Sequence, residues 1–201
     1  VLHFDAVHAR PDKAWVLGAN RYLSPAVAVE WASGVPSTFD ARHSAIARRY
    51  IYLILNQPIR SPFLSWGLTR EPDRLDATRM HDGAQALVGE HDFSSFRAAN
   101  CQSKSPIRAV RSVEVYRRGD VIVVDITANA FLYHMVRNIV GVLLDIGRYR
   151  KPVTHAGAVL ALRDRNRAGK TAPPEGLYLI DVEYPACYGI PPGPSLPHLY
   201  S

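Results

Sequence analysis

The order of hydrophobic periodicities predicts an α+β fold, with a mainly antiparallel sheet covered by helices on one face. Three observations carry that expectation. From about residue 45 onward, two-residue alternation and helical spacing follow one another as strand, helix, hairpin, helix, helix, strand. Two of the strand-like runs are separated only by Arg117-Arg118-Gly119-Asp120, a connection that antiparallel neighbours alone can use. The stretch from Phe131 to Ile146 is apolar over most of its circumference, so it is predicted to be a core helix.

Each element has its own signal. Val1 to Val7 alternates like a strand already under way, and Ala26 to Ala32 alternates again. Between them Lys13 to Leu23 has helical spacing, with Trp15, Val16, Ala19 and Tyr22 on one side. Gly34-Val35-Pro36-Ser37-Thr38 is turn material and marks a boundary. Ala47 to Asn56 is a second, stronger strand, which Pro58 to Pro62 interrupts. Asp76 to Val88 reads as a helix with a Met80, Ala84, Leu87 and Val88 stripe, closed by Gly89. Arg97 to Arg108 is a polar, basic loop. Ser112 to Tyr116 and Val121 to Ala128 form the hairpin, with Gly119 as its turn residue. The Phe131 helix, a shorter helix over His155 to Arg163 and a last strand over Leu177 to Glu183 complete the order. Pro185 to Ser201 is proline-rich and expected to be irregular. The organisation expected is a remnant of one α+β half (1–36), a hinge (37–46), a second α+β half (47–184) and a tail (185–201).

The chain of 201 residues is long enough for a substantial core. Its two cysteines, Cys101 and Cys187, make neither a disulfide framework nor a zinc cluster, which fits a reducing cytoplasm. No run has the length needed to span a bilayer, and the opening has no signal-peptide pattern. The eight histidines show no ligand spacing, and no phosphate-binding glycine loop or dinucleotide fingerprint occurs, so neither a metal nor a cofactor is implied. A net charge of +6, mostly arginine, points to a polyanion partner, with nucleic acid first.

Arg137 is the odd residue of the chain. At about 100° per residue, His134, Arg137, Asn138, Gly141 and Asp145 share one wedge of an otherwise apolar helix. That stripe reads in two ways. It is the solvated side of the helix, or it meets an anion, because a fixed guanidinium beside apolar surface is costly without one. On the Ala47 strand, Arg48, Tyr50, Tyr52 and Ile54 face one way, and Arg49, Ile51, Leu53 and Leu55 the other. Two aromatics and an arginine on one face suit a nucleobase and a phosphate; on pattern alone, cross-strand aromatic packing is the commoner cause. Arg42, in the hinge, is a solvated linker residue or a phosphate contact, and Lys104, Arg108 and Arg111 suit an RNA groove. Cys101 has no basic neighbour in sequence, so a nucleophilic role is not expected.

The wording of these runs resembles the tRNA pseudouridine synthase A family. Asn129-Ala130-Phe131-Leu132-Tyr133-His134-Met135-Val136-Arg137-Asn138 matches the helix that lies under that family's active site, where the arginine pairs with the catalytic aspartate. Ala47-Arg48-Arg49-Tyr50 matches a motif whose tyrosine packs on the target uracil. Phe39-Asp40-Ala41-Arg42-His43-Ser44-Ala45, Asp92-Phe93-Ser94-Ser95-Phe96 and the Gln102 to Arg108 loop match in the family's order. So does Gly176-Leu177-Tyr178-Leu179, whose first leucine helps close the uracil pocket.

The resemblance implies several things: two related α+β halves with the first one truncated, conversion of uridine to pseudouridine in the tRNA anticodon arm, a homodimer and no cofactor. It assigns Arg137 to catalysis, Tyr50 and Leu177 to the substrate, and Arg42, Arg48, Lys104, Arg108 and Arg111 to RNA. One departure stands out: the family's nucleophilic aspartate sits in a G-R-T-D-A-G-V-H motif that these 201 residues do not contain. The chain is therefore expected to be a portion of the enzyme and inactive alone. The alternative is a non-catalytic domain that grips structured RNA.

Overall fold

The computed structural model describes residues 1–62, 64 and 67–194, and the chain divides into two compact units. The first comprises Val1–Ala45 with Glu183–Pro192. It contains helix α1 (Asp12–Tyr22), close to the predicted span, although no residue of α1 is buried. The two alternating segments are not strands, and Val1 to Val7 is exposed throughout. Alternation favours an extended backbone, yet a strand also needs a neighbour to satisfy its N–H and C=O groups. In Ala26 to Ala32 a side chain partly replaces one: Asn20 Nδ2 donates to Val29 O at 2.8 Å, and Val29 N donates to Asn20 Oδ1 at 2.7 Å. The unit gathers around Phe39, whose ring lies 5.1 Å from both Tyr184 and Tyr188.

The second unit, Ile46–Val182 with Gly193–Ser201, carries the sheet. In chain order its elements are β1 (Ala47–Asn56), β2 (Thr69–Glu71), α2 (Ala77–Ala84), β3 (Gly89–Asp92), β4 (Ile107–Arg118), β5 (Val121–Ala128), α3 (Met135–Gly147), α4 (His155–Leu162) and β6 (Leu177–Glu183). The strands form one six-stranded sheet in the order β2-β1-β5-β4-β3, with β6 also pairing with β1. The β1–β5, β5–β4 and β4–β3 pairs are antiparallel; β1–β2 is parallel, so the sheet is mixed.

Several differences from the sequence expectation have physical causes. Strand β4 begins at Ile107, so Arg108 belongs to the sheet rather than to the basic loop. Between Val110 and Ser112 the register with β5 shifts, leaving Arg111 as the extra residue of a bulge. Strands β2 and β3 are three and four residues long and rich in charge, below the length at which alternation is visible. Helix α2 is shorter than expected: Asp76 caps it by accepting from Arg79 N at 3.0 Å, and Gln85–Leu87 tighten into a 3-10 turn. Gly89, at φ 113°, opens β3 rather than closing the helix. Of the tail, residues 185–194 are irregular apart from a turn at Ala186–Tyr188, and 195–201 lie outside the described residues.

The alternation of β1 is kept. Tyr52 and Ile54 join the main core with β4, β5, α2, α3 and α4, whereas Ile51, Leu53 and Leu55 form a second cluster with Leu68 and Val123 on the opposite face. Helix α3 supplies the largest share of helical core, with Met135, Ile139, Val140, Leu143 and Ile146 all buried. Burial of each such side chain contributes roughly 1.5–3 kcal/mol.

Past the end of α3, Arg148 reaches Glu71 of β2 and also faces Asp145 at 3.3 Å and Asp73 at 3.8 Å. One cation therefore ties the edge strand to the core helix. Replacing Arg148 by Met leaves Glu71, only 6% exposed, without its partner. The variant is expected to lose about 3 kcal/mol of stability in urea unfolding.

Candidate active site

Strand β1 presents Tyr50 and Tyr52 toward the helices because both sit at even positions of its alternation. Tyr50 is half-buried, and its ring meets Phe131 edge-on at 5.0 Å. Burial raises its phenol above the ordinary range. Tyr52 is fully buried; its hydroxyl donates to Pro173 O at 2.7 Å and lies 2.5 Å from Thr69 Oγ1. Burial pushes its pKa up to about 12, against opposing pulls from Thr69 and from the charge of Arg137.

Helix α3 starts at Met135 and not at Phe131, because His134 adopts the left-handed region at φ 60° and caps the helix. The polar stripe is not a solvent face. Residues 165–172 lie against it at Arg137, Asn138 and Gly141. Asn138 is 1% exposed; it donates to Phe96 O at 2.7 Å and accepts from Thr171 Oγ1 at 2.7 Å and Arg165 Nη2 at 3.1 Å. A Cβ on Gly141 would stand 1.9 Å from Lys170 O, so only glycine admits this approach.

The covering segment fixes Arg137. Its Nε donates to Ala172 O at 2.7 Å, while Ala172 N donates to Arg137 O at 3.0 Å. Its Nη1 meets His134 Nε2 at 3.2 Å. Burial, then the charges of Arg137 and Arg165, lower the His134 pKa, which favours the neutral ring able to accept from that guanidinium. Among the described residues no carboxylate lies within ion-pairing distance of Arg137. Farther along the same segment, Gly176 O accepts from Leu53 N at 2.9 Å, and Leu177 packs against the main core. One stretch, 171–177, thus joins α3 to β1 and gathers Tyr52, Arg137 and Leu177.

The other candidate residues are more dispersed. Arg48 is half-buried and donates from Nη1 to Asn129 O at 2.8 Å, just before Phe131. Lys104 is exposed on the 97–106 loop, and Arg111 is exposed at the bulge. Arg108 turns inward, donating from Nη1 to Ser105 O at 3.0 Å and from Nη2 to Ser103 Oγ at 2.6 Å. Arg42 belongs to the first unit, exposed on a turn built by Asp40. Cys101 does have a cationic neighbour, contrary to its surroundings in sequence. Burial pushes its thiol up, but the N–H groups of Tyr133 and Ser103 and the Arg97 guanidinium bring it below its ordinary value. Among the described residues no three His, Cys, Asp or Glu side chains are placed to hold a metal ion, and no helix is long and apolar enough to cross a membrane.

Sequence reasoning missed Asn138, Thr171 and Arg165 as a unit. The only available signal was an asparagine in an apolar helix, which any solvated stripe also contains.

Truncating Asn138 to Ala strands Phe96 O and uncouples Thr171 and Arg165 from α3. About 2–4 kcal/mol of stability should be lost on chemical denaturation. Asp40 gives a pH test. The N–H groups of His43 and then Arg42 hold its carboxyl at about 2, below the ordinary 3.8. Because the folded value is depressed, the turn's contribution is complete above the ordinary value and fades as pH falls through about 2. An NMR titration of the Asp40 carboxyl should have its midpoint there, and a midpoint near 3.8 would contradict the turn.

Comparison with known proteins matches this arrangement to one family. The family model described as tRNA pseudouridine synthase matches residues 84–185, which include α3 and the covering segment. The tRNA pseudouridine synthase A of Pseudoalteromonas atlantica is 51% identical over 191 residues, 95% of this chain and 73% of that protein. Those of a Shewanella species and of Shewanella denitrificans are 52% identical over the same shares. The chain belongs to the tRNA pseudouridine synthase A family.

Proposed function

We propose that this chain forms the uracil pocket of a tRNA pseudouridine synthase acting on uridines of the anticodon stem-loop. Tyr50 packs on the target uracil, Leu177 closes the pocket, and Arg137 pairs with the nucleophilic aspartate. The observation that carries the reading is Arg137 itself: a half-buried guanidinium oriented by Ala172 O and His134, with no carboxylate partner among the described residues. A cation so placed favours the ionised form of an incoming aspartate and directs it.

The reaction needs both properties. The uridine leaves its stack and enters the pocket. The aspartate attacks ribose C1′ as the bond from C1′ to N1 breaks, the base turns, and C5 then attacks C1′ and expels the carboxylate. The proton on C5 is lost and N1 gains one, so the product is an isomer and no oxidant or cofactor is consumed. The aspartate belongs to a segment outside these residues, since the family's G-R-T-D-A-G-V-H motif does not occur in them. The chain alone is therefore expected to leave uridine unchanged.

On this reading residues 1–36 belong to an N-terminal α+β half, 37–46 to a hinge and 47–184 to a related C-terminal half. Arg42, Arg48, Lys104, Arg108 and Arg111 hold tRNA phosphates, and the working enzyme is a cytoplasmic homodimer. Two features support the phosphate assignment: the net charge of +6, and the exposure of Arg42, Lys104 and Arg111.

The test uses the longest protein the gene encodes, assayed for pseudouridine in anticodon-arm RNA. Arg137→Ala should reduce turnover by at least about 100-fold, on the scale of losing one oriented electrostatic partner. Unchanged turnover in that variant would remove Arg137 from the mechanism. Tight tRNA binding with no pseudouridine from the unsubstituted protein would favour a binding module instead.

A further inference from the structure

The rings of Tyr133 and His134 stack at 4.0 Å between centroids and 25° between planes. Tyr133 is 53% exposed, although Phe131 and Leu132 beside it turn toward the core.

The pair is held in place rather than loosely exposed. His134 occupies the left-handed region at φ 60°, and such strain in a residue with a Cβ persists only where surroundings over-determine it. The surroundings are visible. Arg137 Nη1 meets His134 Nε2 at 3.2 Å. Tyr133 N donates to Cys101 Sγ at 3.4 Å, and Tyr133 O accepts from Ala98 N at 3.1 Å. The Arg97 guanidinium fixes that loop by donating to Cys101 O at 2.9 Å and Ser103 O at 2.7 Å. The outcome is a rigid, partly solvated aromatic surface one hydrogen bond from Arg137.

We infer that Tyr133, backed by His134, is a stacking subsite for a nucleobase adjacent to the reacting uridine. This rests on the function proposed above. Extruding a uridine removes the stacking partner of its neighbours. An aromatic face beside the pocket returns that partner, and any base fits it because every base has a π-face. Exposed Lys104 on the same loop adds positive charge for the strand's phosphates.

The experiment uses synthetic anticodon-arm RNA with 2-aminopurine replacing one loop base at a time. It is bound to the longest protein the gene encodes, as the unsubstituted form, Tyr133→Phe and Tyr133→Ala. One loop position is expected to show quenched 2-aminopurine fluorescence with the unsubstituted protein and with Tyr133→Phe. Tyr133→Ala should lose that quenching and bind roughly 5- to 150-fold more weakly. Quenching and affinity unchanged in Tyr133→Ala would overturn the subsite, as would an equal loss in Tyr133→Phe, which would assign the effect to the hydroxyl. The two readings fail separately. Absence of pseudouridine with the unsubstituted protein and natural tRNA overturns the proposed function and this subsite with it. Normal turnover with an indifferent Tyr133→Ala overturns the subsite alone.

Discussion

The reciprocal pair between Arg137 and Ala172 holds the candidate site together. The side chain of Arg137 donates to the Ala172 carbonyl, and the Ala172 amide donates to the Arg137 carbonyl. Two bonds in opposite directions fix both position and orientation, which a single bond does not. They also turn a helix with a polar stripe into a helix whose stripe is covered by another segment of the chain. Without the covering segment, Arg137 would lose its acceptor at Ala172, and Asn138 its donors Thr171 and Arg165.

The segment is held at both ends by buried partners. Toward α3 the Asn138–Thr171–Arg165 network and the bare Cα of Gly141 let it lie against the helix. Toward the sheet, Tyr52 donates to Pro173 O and Leu53 N donates to Gly176 O. Strand β1 is buried on both faces and central in the sheet, so it is a stiff reference for that end. Leu177 and the Tyr50 face inherit their placement from it.

The arginines take a different part from the one their number suggests. Arg97 and Arg165 donate to carbonyls and hydroxyls of their own loops, Arg108 donates to the loop that precedes its strand, and Arg49 pairs with Asp125 through two bonds to one oxygen and a third to the other. A planar guanidinium with five donors suits the bracing of an irregular loop as well as the reading of a phosphate. Net charge counts these residues as available to RNA, and the structure commits several of them internally. Lys104 and Arg111, exposed on the 97–106 loop and the bulge, are better placed for an external anion.

The sequence alone determined those features that depend on a residue and its near neighbours. The spans of β1, β5 and β6, the Gly119 turn, the division of β1 into two faces and the apolar character of α3 all follow from periodicity and turn chemistry. The motifs around Tyr50, Arg137 and Leu177 were legible only through their resemblance to one family's wording. Tertiary structure decided whatever needs a partner distant in the chain. The alternating segments Val1 to Val7 and Ala26 to Ala32 are not strands, because a strand's hydrogen bonds belong to its neighbour. Cys101 acquired a cationic neighbour, and the stripe of α3 acquired a cover 35 residues away at Ala172. Periodicity reports which side of a helix is polar. Whether water or protein satisfies that side depends on where the rest of the chain folds back.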